Sequence, residues 1–70
     1  MNSEFYTVMD GRAEYDVDEA DVIEVYGAVH ETAALALFFE EWGTGAHDAV
    51  LVRWEDTGDF IENPEAIART

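Results

Sequence analysis

Carboxylates dominate the reactive side chains of this 70-residue chain: seventeen Asp and Glu face three arginines, Arg12, Arg53 and Arg69. Lysine and cysteine are absent, serine occurs once as Ser3, and the two histidines are His30 and His47. Carboxylates in this number can serve as acid–base pairs, as ligands for hard cations, or as a field that attracts a basic partner. Paired carboxylates of the glycosidase kind need a sugar-sized cleft between them. A body of this size has little room for a cleft of about 300 Å³ or more, so no enzymatic activity is expected. Residues 16–21 begin like a calcium-binding EF-hand loop. Ala20, however, stands at a ligand position, Asp21 where the loop turns on glycine, and Gly27 where a bidentate Glu closes it. The histidines lack metal-ligand spacing and read as boundary residues of a helix. Ser3 offers no plausible triad nucleophile, and Gly43-Thr44-Gly45 is too short for a phosphate loop and is followed by no lysine. No metal or other cofactor is expected.

The acids are grouped. Asp16, Asp18, Glu19 and Asp21 lie within six residues, with Glu14 before them and Glu24 after. A second group is Glu55, Asp56, Asp59, Glu62 and Glu65, and Glu40 and Glu41 fall between the two. If extended, residues 14, 16 and 18 project from one face at a repeat of roughly 6.6 Å, twice the strand rise. That repeat is similar to the spacing of successive backbone phosphates. A charge run is usually a solvated face, but here no lysine is interspersed. A net charge of −14 also strains the compact state by self-repulsion. The reading is therefore a partner-binding surface made of Glu14, Asp16, Asp18, Glu19, Asp21, Glu24, Glu40, Glu41, Glu55, Asp56, Asp59 and Glu62. Its partner is a basic nucleic-acid-binding protein or ribonucleoprotein complex. Direct binding to nucleic acid is excluded by the repulsive field, and an aromatic stacking platform would need positive charge beside it.

These side chains must be held by a small folded body. With 49% hydrophobic residues and nine aromatics, the chain has material for a core and is unlike a disordered acidic tail. No apolar run approaches the roughly 18 residues of a membrane span. The start lacks the basic and apolar pattern of a signal peptide. One cytoplasmic domain over residues 1–70, not membrane-bound, is expected. Asp10-Gly11 predicts a two-residue hairpin between residues 5–9 and 12–17, with Tyr6, Val8, Ala13, Tyr15 and Val17 on the core face. Residues 21–26 are β-branched and aromatic and predict a third strand. The rival is one long helix over about 19–42, since Val25, Ala28, Leu35, Phe39 and Trp42 also fit a helical stripe. Residues 31–42 predict a helix stopped by Gly43, with Leu35, Phe38, Phe39 and Trp42 inward. A strand over 48–54, a turn at 56–58, a short strand near 59–62 and a helical turn over 65–69 complete the layout. The fold class is α+β: a small antiparallel sheet, an N-terminal hairpin plus C-terminal strands, with one main helix on one face.

Small size, absence of lysine, a folded acidic body and no catalytic constellation together resemble the short phage-encoded anti-CRISPR and anti-restriction proteins. Several of these inhibit by occupying a DNA-binding channel. The resemblance lies in the character of the whole chain and not in a motif, so no residue role is carried over. It implies an inhibitor that acts as a DNA mimic in the cytoplasm of a bacterial host, on a target whose arginines and lysines grip phosphate. A CRISPR surveillance complex is the first choice of target, with a restriction enzyme or other DNA-binding protein next. Two other readings stay open. One is a halophile's acidic housekeeping domain; the other is an acidic interaction module that dimerises through Ala33, Ala36 and Leu37. A monomer or a weak homodimer is expected.

Overall fold

The computed structural model describes residues 3–27, 30–45 and 48–70. Four strands, β1 (Ser3–Asp10), β2 (Val22–Tyr26), β3 (Ala49–Asp56) and β4 (Ile61–Arg69), form one sheet in the order β2-β1-β3-β4. Every neighbouring pair is antiparallel. One helix, α1 (Glu31–Trp42), packs on a face of that sheet. The α+β class read from the sequence is the architecture of the molecule. No described helix is long and apolar enough to cross a membrane.

Period-two alternation in β1 explains why both faces of the sheet carry apolar residues. Tyr6 and Val8 point toward α1 and join Tyr26, Ala34, Phe38, Ala49 and Leu51 in the main core, with Leu35, Trp42, Ile67 and Ala68 packed at its margin. Met9, Val50 and Val52 point the other way and meet Ala13, Val17, Ala20 and Trp54. Ala49, Val50, Leu51 and Val52 are all buried, the continuous apolar pattern of a strand covered on both sides. On the face away from α1, buried Thr7 accepts a hydrogen bond from the Trp54 indole N–H at 2.8 Å. Phe5 stacks on Trp54 beside it, with ring centroids 6.3 Å apart.

The helix has the bounds its sequence predicts. The Gly43 N–H donates to the Phe39 carbonyl at 3.0 Å. A Cβ at position 43 would come within 2.2 Å of that carbonyl oxygen, so glycine is needed for close approach. The buried stripe is rotated from expectation: Ala34 and Phe38 are fully buried, whereas Phe39 is 51% exposed and meets Phe38 edge-on. Leu37 lies on the exposed outer side. His30 stands just before α1 and makes no side-chain cap. His47 lies outside the described residues.

Two local expectations are overturned. Asp10-Gly11 does not form a two-residue hairpin. The Asp10 carboxylate instead accepts the Arg12 N–H at 2.9 Å and the Asp21 N–H at 2.8 Å, and the Asp10 N–H donates to the Asp21 carbonyl at 3.1 Å. Asp10 thus caps a 3-10 turn, Gly11–Glu14, and closes the base of an excursion containing a second turn, Val17–Glu19. A tight hairpin would have set Arg12, Glu14 and Asp16 beside Phe5, Thr7 and Met9 on an apolar face. β2 offers Val22 and Val25 there instead, opposite Met9 and Thr7. Tyr15, expected in the core, is 88% exposed, and Ala13 is buried on the other face from Tyr6 and Val8.

Residues 65–69 are also not helical. They extend β4, so that Arg53, Val52, Leu51 and Val50 face Glu65, Ala66, Ala68 and Arg69. The interior backbone of β3 needs hydrogen-bond partners on both sides, and β1 supplies only one. Asn63, with a left-handed φ of 54°, and Pro64 are absorbed where the register shifts between Glu62 and Glu65.

Candidate acidic interface

The three arginines are committed within the fold. Arg12 pairs with Asp10 at 2.8 Å and Asp21 at 3.3 Å. Arg53 pairs with Glu31 at 3.3 Å and with Glu65. Arg69 pairs with Glu14 and, at 3.7 Å, with Asp48. Exposed pairs of this kind contribute little to stability, but those of Arg53 and Arg69 tie segments distant in sequence, such as the end of β4 to the first 3-10 turn. Six of the seventeen carboxylates are engaged in this way. Among the described residues, the other eleven have no arginine partner.

Three of those eleven form a row across the sheet. Glu4 of β1 faces Glu55 of β3, and Glu55 faces Glu62 of β4. Adjacent strands lie about 4.8 Å apart, and like charges directly opposite each other are destabilising. Polar neighbours hold the row in place. The Tyr6 hydroxyl donates to Glu4 at 3.1 Å, and the Asn63 side-chain amide donates to Glu55 at 3.2 Å. Burial, with the Glu4 hydrogen bond second, pushes the Tyr6 hydroxyl up to about 12, so it remains a donor at neutral pH. Arg53 lies alongside, held above its ordinary value by Glu65 first, with Glu4 and Glu31 adding to the effect. The first turn of α1 and strands β1 and β4 thus bring Glu31, Glu4 and Glu65 toward one guanidinium.

The groups read from the sequence are placed differently from one another. Glu14, Asp16 and Asp18 do not form an extended ladder at 6.6 Å. Glu14 is bound to Arg69, Asp16 accepts the Asp18 N–H at 3.1 Å, and Asp18 and Glu19 lie in the second 3-10 turn. The excursion remains an acidic lobe over the Met9 face, with Asp16, Asp18, Glu19 and Asp21 exposed. In the second group, consecutive Glu55 and Asp56 point to opposite faces of β3. Asp56 accepts the Gly58 N–H at 2.9 Å, and Asp59 is exposed at the β3–β4 turn. Glu24 and Glu41 meet where β2 passes the end of α1. Glu41 holds the Glu24 carboxyl above its ordinary value, through a shared hydrogen bond first and then burial. The Tyr26 hydroxyl donates to Glu41 at 3.3 Å. Glu40 is exposed on the same helix.

Glu4 and Glu31 were not among the residues singled out from the sequence. Alternation along β1 puts Glu4 on the side of Tyr6 and Val8, but its neighbours follow only from pairing with β3, some fifty positions away. Among the described residues, no three His, Asp or Glu side chains converge in a way that could hold a metal ion. Comparison of the chain with known protein families, with curated proteins and with solved structures finds no match.

Proposed function

We propose that the protein is an inhibitor that presents carboxylates where a basic target expects phosphates, and so blocks the target's DNA-binding surface. The target class is a nucleic-acid-binding protein or ribonucleoprotein complex. A CRISPR surveillance complex is the first choice, which would make the protein an anti-CRISPR; a restriction enzyme is the next. The observation that carries the reading is the Glu4–Glu55–Glu62 row. Solubility alone needs carboxylates dispersed over the surface, whereas carboxylates opposed across adjacent strands oppose folding and gain only when a partner's cations lie over them. A surface built to neutralise phosphates supplies those cations. Eleven carboxylates without an arginine partner also form a field that steers a basic surface toward the protein.

The test is competition. Labelled duplex DNA bound to a CRISPR surveillance complex, and separately to a restriction enzyme, is titrated with the protein at increasing salt. Displacement that weakens steeply with salt supports the reading. DNA that stays bound to both targets even at low salt contradicts it.

A further inference from the structure

The two edges of the sheet are built differently. β4 carries Pro64, the left-handed Asn63 and two shifts of register, all devices that stop another strand from adding. β2, at the opposite edge, has neither proline nor lysine. Val22, Ile23 and Val25 are 53%, 45% and 59% exposed. Its register with β1 shifts once, near Ile23, and is regular over Glu24, Val25 and Tyr26.

The two faces of this edge also differ in chemistry. Val22 and Val25, opposite Met9 and Thr7, lie on the face away from α1. Glu24, opposite Val8, lies on the α1 face, where it meets Glu41. None of the three arginines reaches this pair, because their carboxylate partners are elsewhere.

We infer that β2 is a docking edge for an extended segment of a basic partner, which adds as a fifth strand. Its apolar side chains cover Val22 and Val25, and its lysines or arginines lie over Glu24 and Glu41. Alternation lets one strand present both kinds of side chain, one to each face. Charge selects the occupant. A second copy adding through its own β2 would bring its Glu24 and Glu41 against ours, setting four carboxylates together, which disfavours self-pairing. A basic strand relieves the repulsion that Glu24 and Glu41 already carry. This site lies apart from the Glu4–Glu55–Glu62 row and deepens the proposed function by naming the form its partner takes there.

The probe is a capped peptide of about ten residues, long enough to span one strand, alternating valine and lysine. The control has the same composition with its lysines in one block. At about 0.15 M salt, the alternating peptide is expected to bind at least about tenfold more tightly than the block peptide. Its amide shifts should centre on residues 22–26, and hydrogen exchange there should slow. Val25→Lys, at an exposed position, is expected to weaken binding about tenfold or more while the circular dichroism spectrum is unchanged. Glu24→Gln with Glu41→Gln should weaken it and flatten its salt dependence.

Equal binding of the two peptides, shifts centred on Glu4, Glu55 and Glu62, or full binding by Val25→Lys would overturn the inference. So would a dimer of the chain alone that Val25→Lys dissolves, because β2 would then serve a second copy. Salt-sensitive DNA displacement by the wild-type protein, together with equal binding of the two peptides, would sink the edge site alone. A wild-type protein that fails to displace DNA while the two peptides bind as expected would sink the inhibitor reading alone.

Discussion

Asp10 and Glu24 are carboxylates pushed in opposite directions by their surroundings, and each leaves a distinct mark on stability against pH. Hydrogen bonds from Arg12 first, and from the Asp21 backbone next, hold Asp10 well below the usual carboxylate range. Its contribution is complete above the unfolded value of about 3.9 and drains away as pH falls toward its folded value. Asp10→Ala is therefore expected to lower the melting temperature by several degrees at pH 7, with the gap from wild type narrowing in acid. Glu24 is raised by Glu41, so its ionised form opposes folding at neutral pH. That penalty is relieved as pH falls through its folded value toward the unfolded value of about 4.3. Glu24→Gln should raise the melting temperature at pH 7 and make no difference in mild acid. Thermal melts from about pH 3 to pH 8 check both; a Glu24→Gln variant less stable than wild type at pH 7 contradicts this account of the pair.

At the level of elements, α1 separates a buried face from an open one within two consecutive residues. Phe38 is fully buried and Leu37 is 36% exposed. Phe38→Ala should cost about 3–5 kcal/mol, a large share of the roughly 3.5–10 kcal/mol that a chain of this size has at roughly 0.05–0.15 kcal/mol per residue. It should lower the melting temperature by more than about 10 °C. Leu37→Glu should change stability by about 0.5 kcal/mol or less and leave sedimentation as in wild type; a shift to lighter species would restore the helix-mediated dimer. The helix and β3 were legible in sequence because an apolar pattern, a stop at Gly43 and a β-branched run each point one way. β2 was legible as a strand only against a rival helical stripe. The excursion after Asp10 was not, because Asp-Gly is a strong local hairpin signal, and what defeats it is a carboxylate that caps the adjacent turn and also the Asp21 N–H eleven residues further on. β4 was missed beyond residue 62 because Asn63-Pro64 resembles a helix start, whereas the unmet partner need of β3 decides the outcome. The same non-local pairing governs the candidate interface. Glu55 and Glu62 stood out as acids, but their opposition, and the place of Glu4 beside them, depend on a register that no window of sequence contains.

As a whole, the molecule is a slab of about 37 × 26 × 15 Å. Its long axis is comparable to one turn of duplex DNA, about 34–36 Å. A charge of −14 on so small a body predicts that salt stabilises it. The melting temperature should rise as added salt shortens the Debye length to about 8 Å at 0.15 M, with a cooperative transition already present there. A chain that folds only in molar KCl would instead mark the acids as an adaptation to salt. Removing charge from the row alone decides whether opposed carboxylates take the place of phosphates. Glu4, Glu55 and Glu62 are changed together to Gln, and the acidic lobe is changed separately as Asp16→Asn, Asp18→Asn and Glu19→Gln. Displacement of labelled duplex DNA from the CRISPR surveillance complex is then measured at about 0.15 M salt. The row variant should melt at or above the wild-type temperature, since repulsion across the strands is gone, yet lose about tenfold or more in displacement. The lobe variant should lose less. A folded row variant that displaces DNA as well as wild type does would contradict the claim.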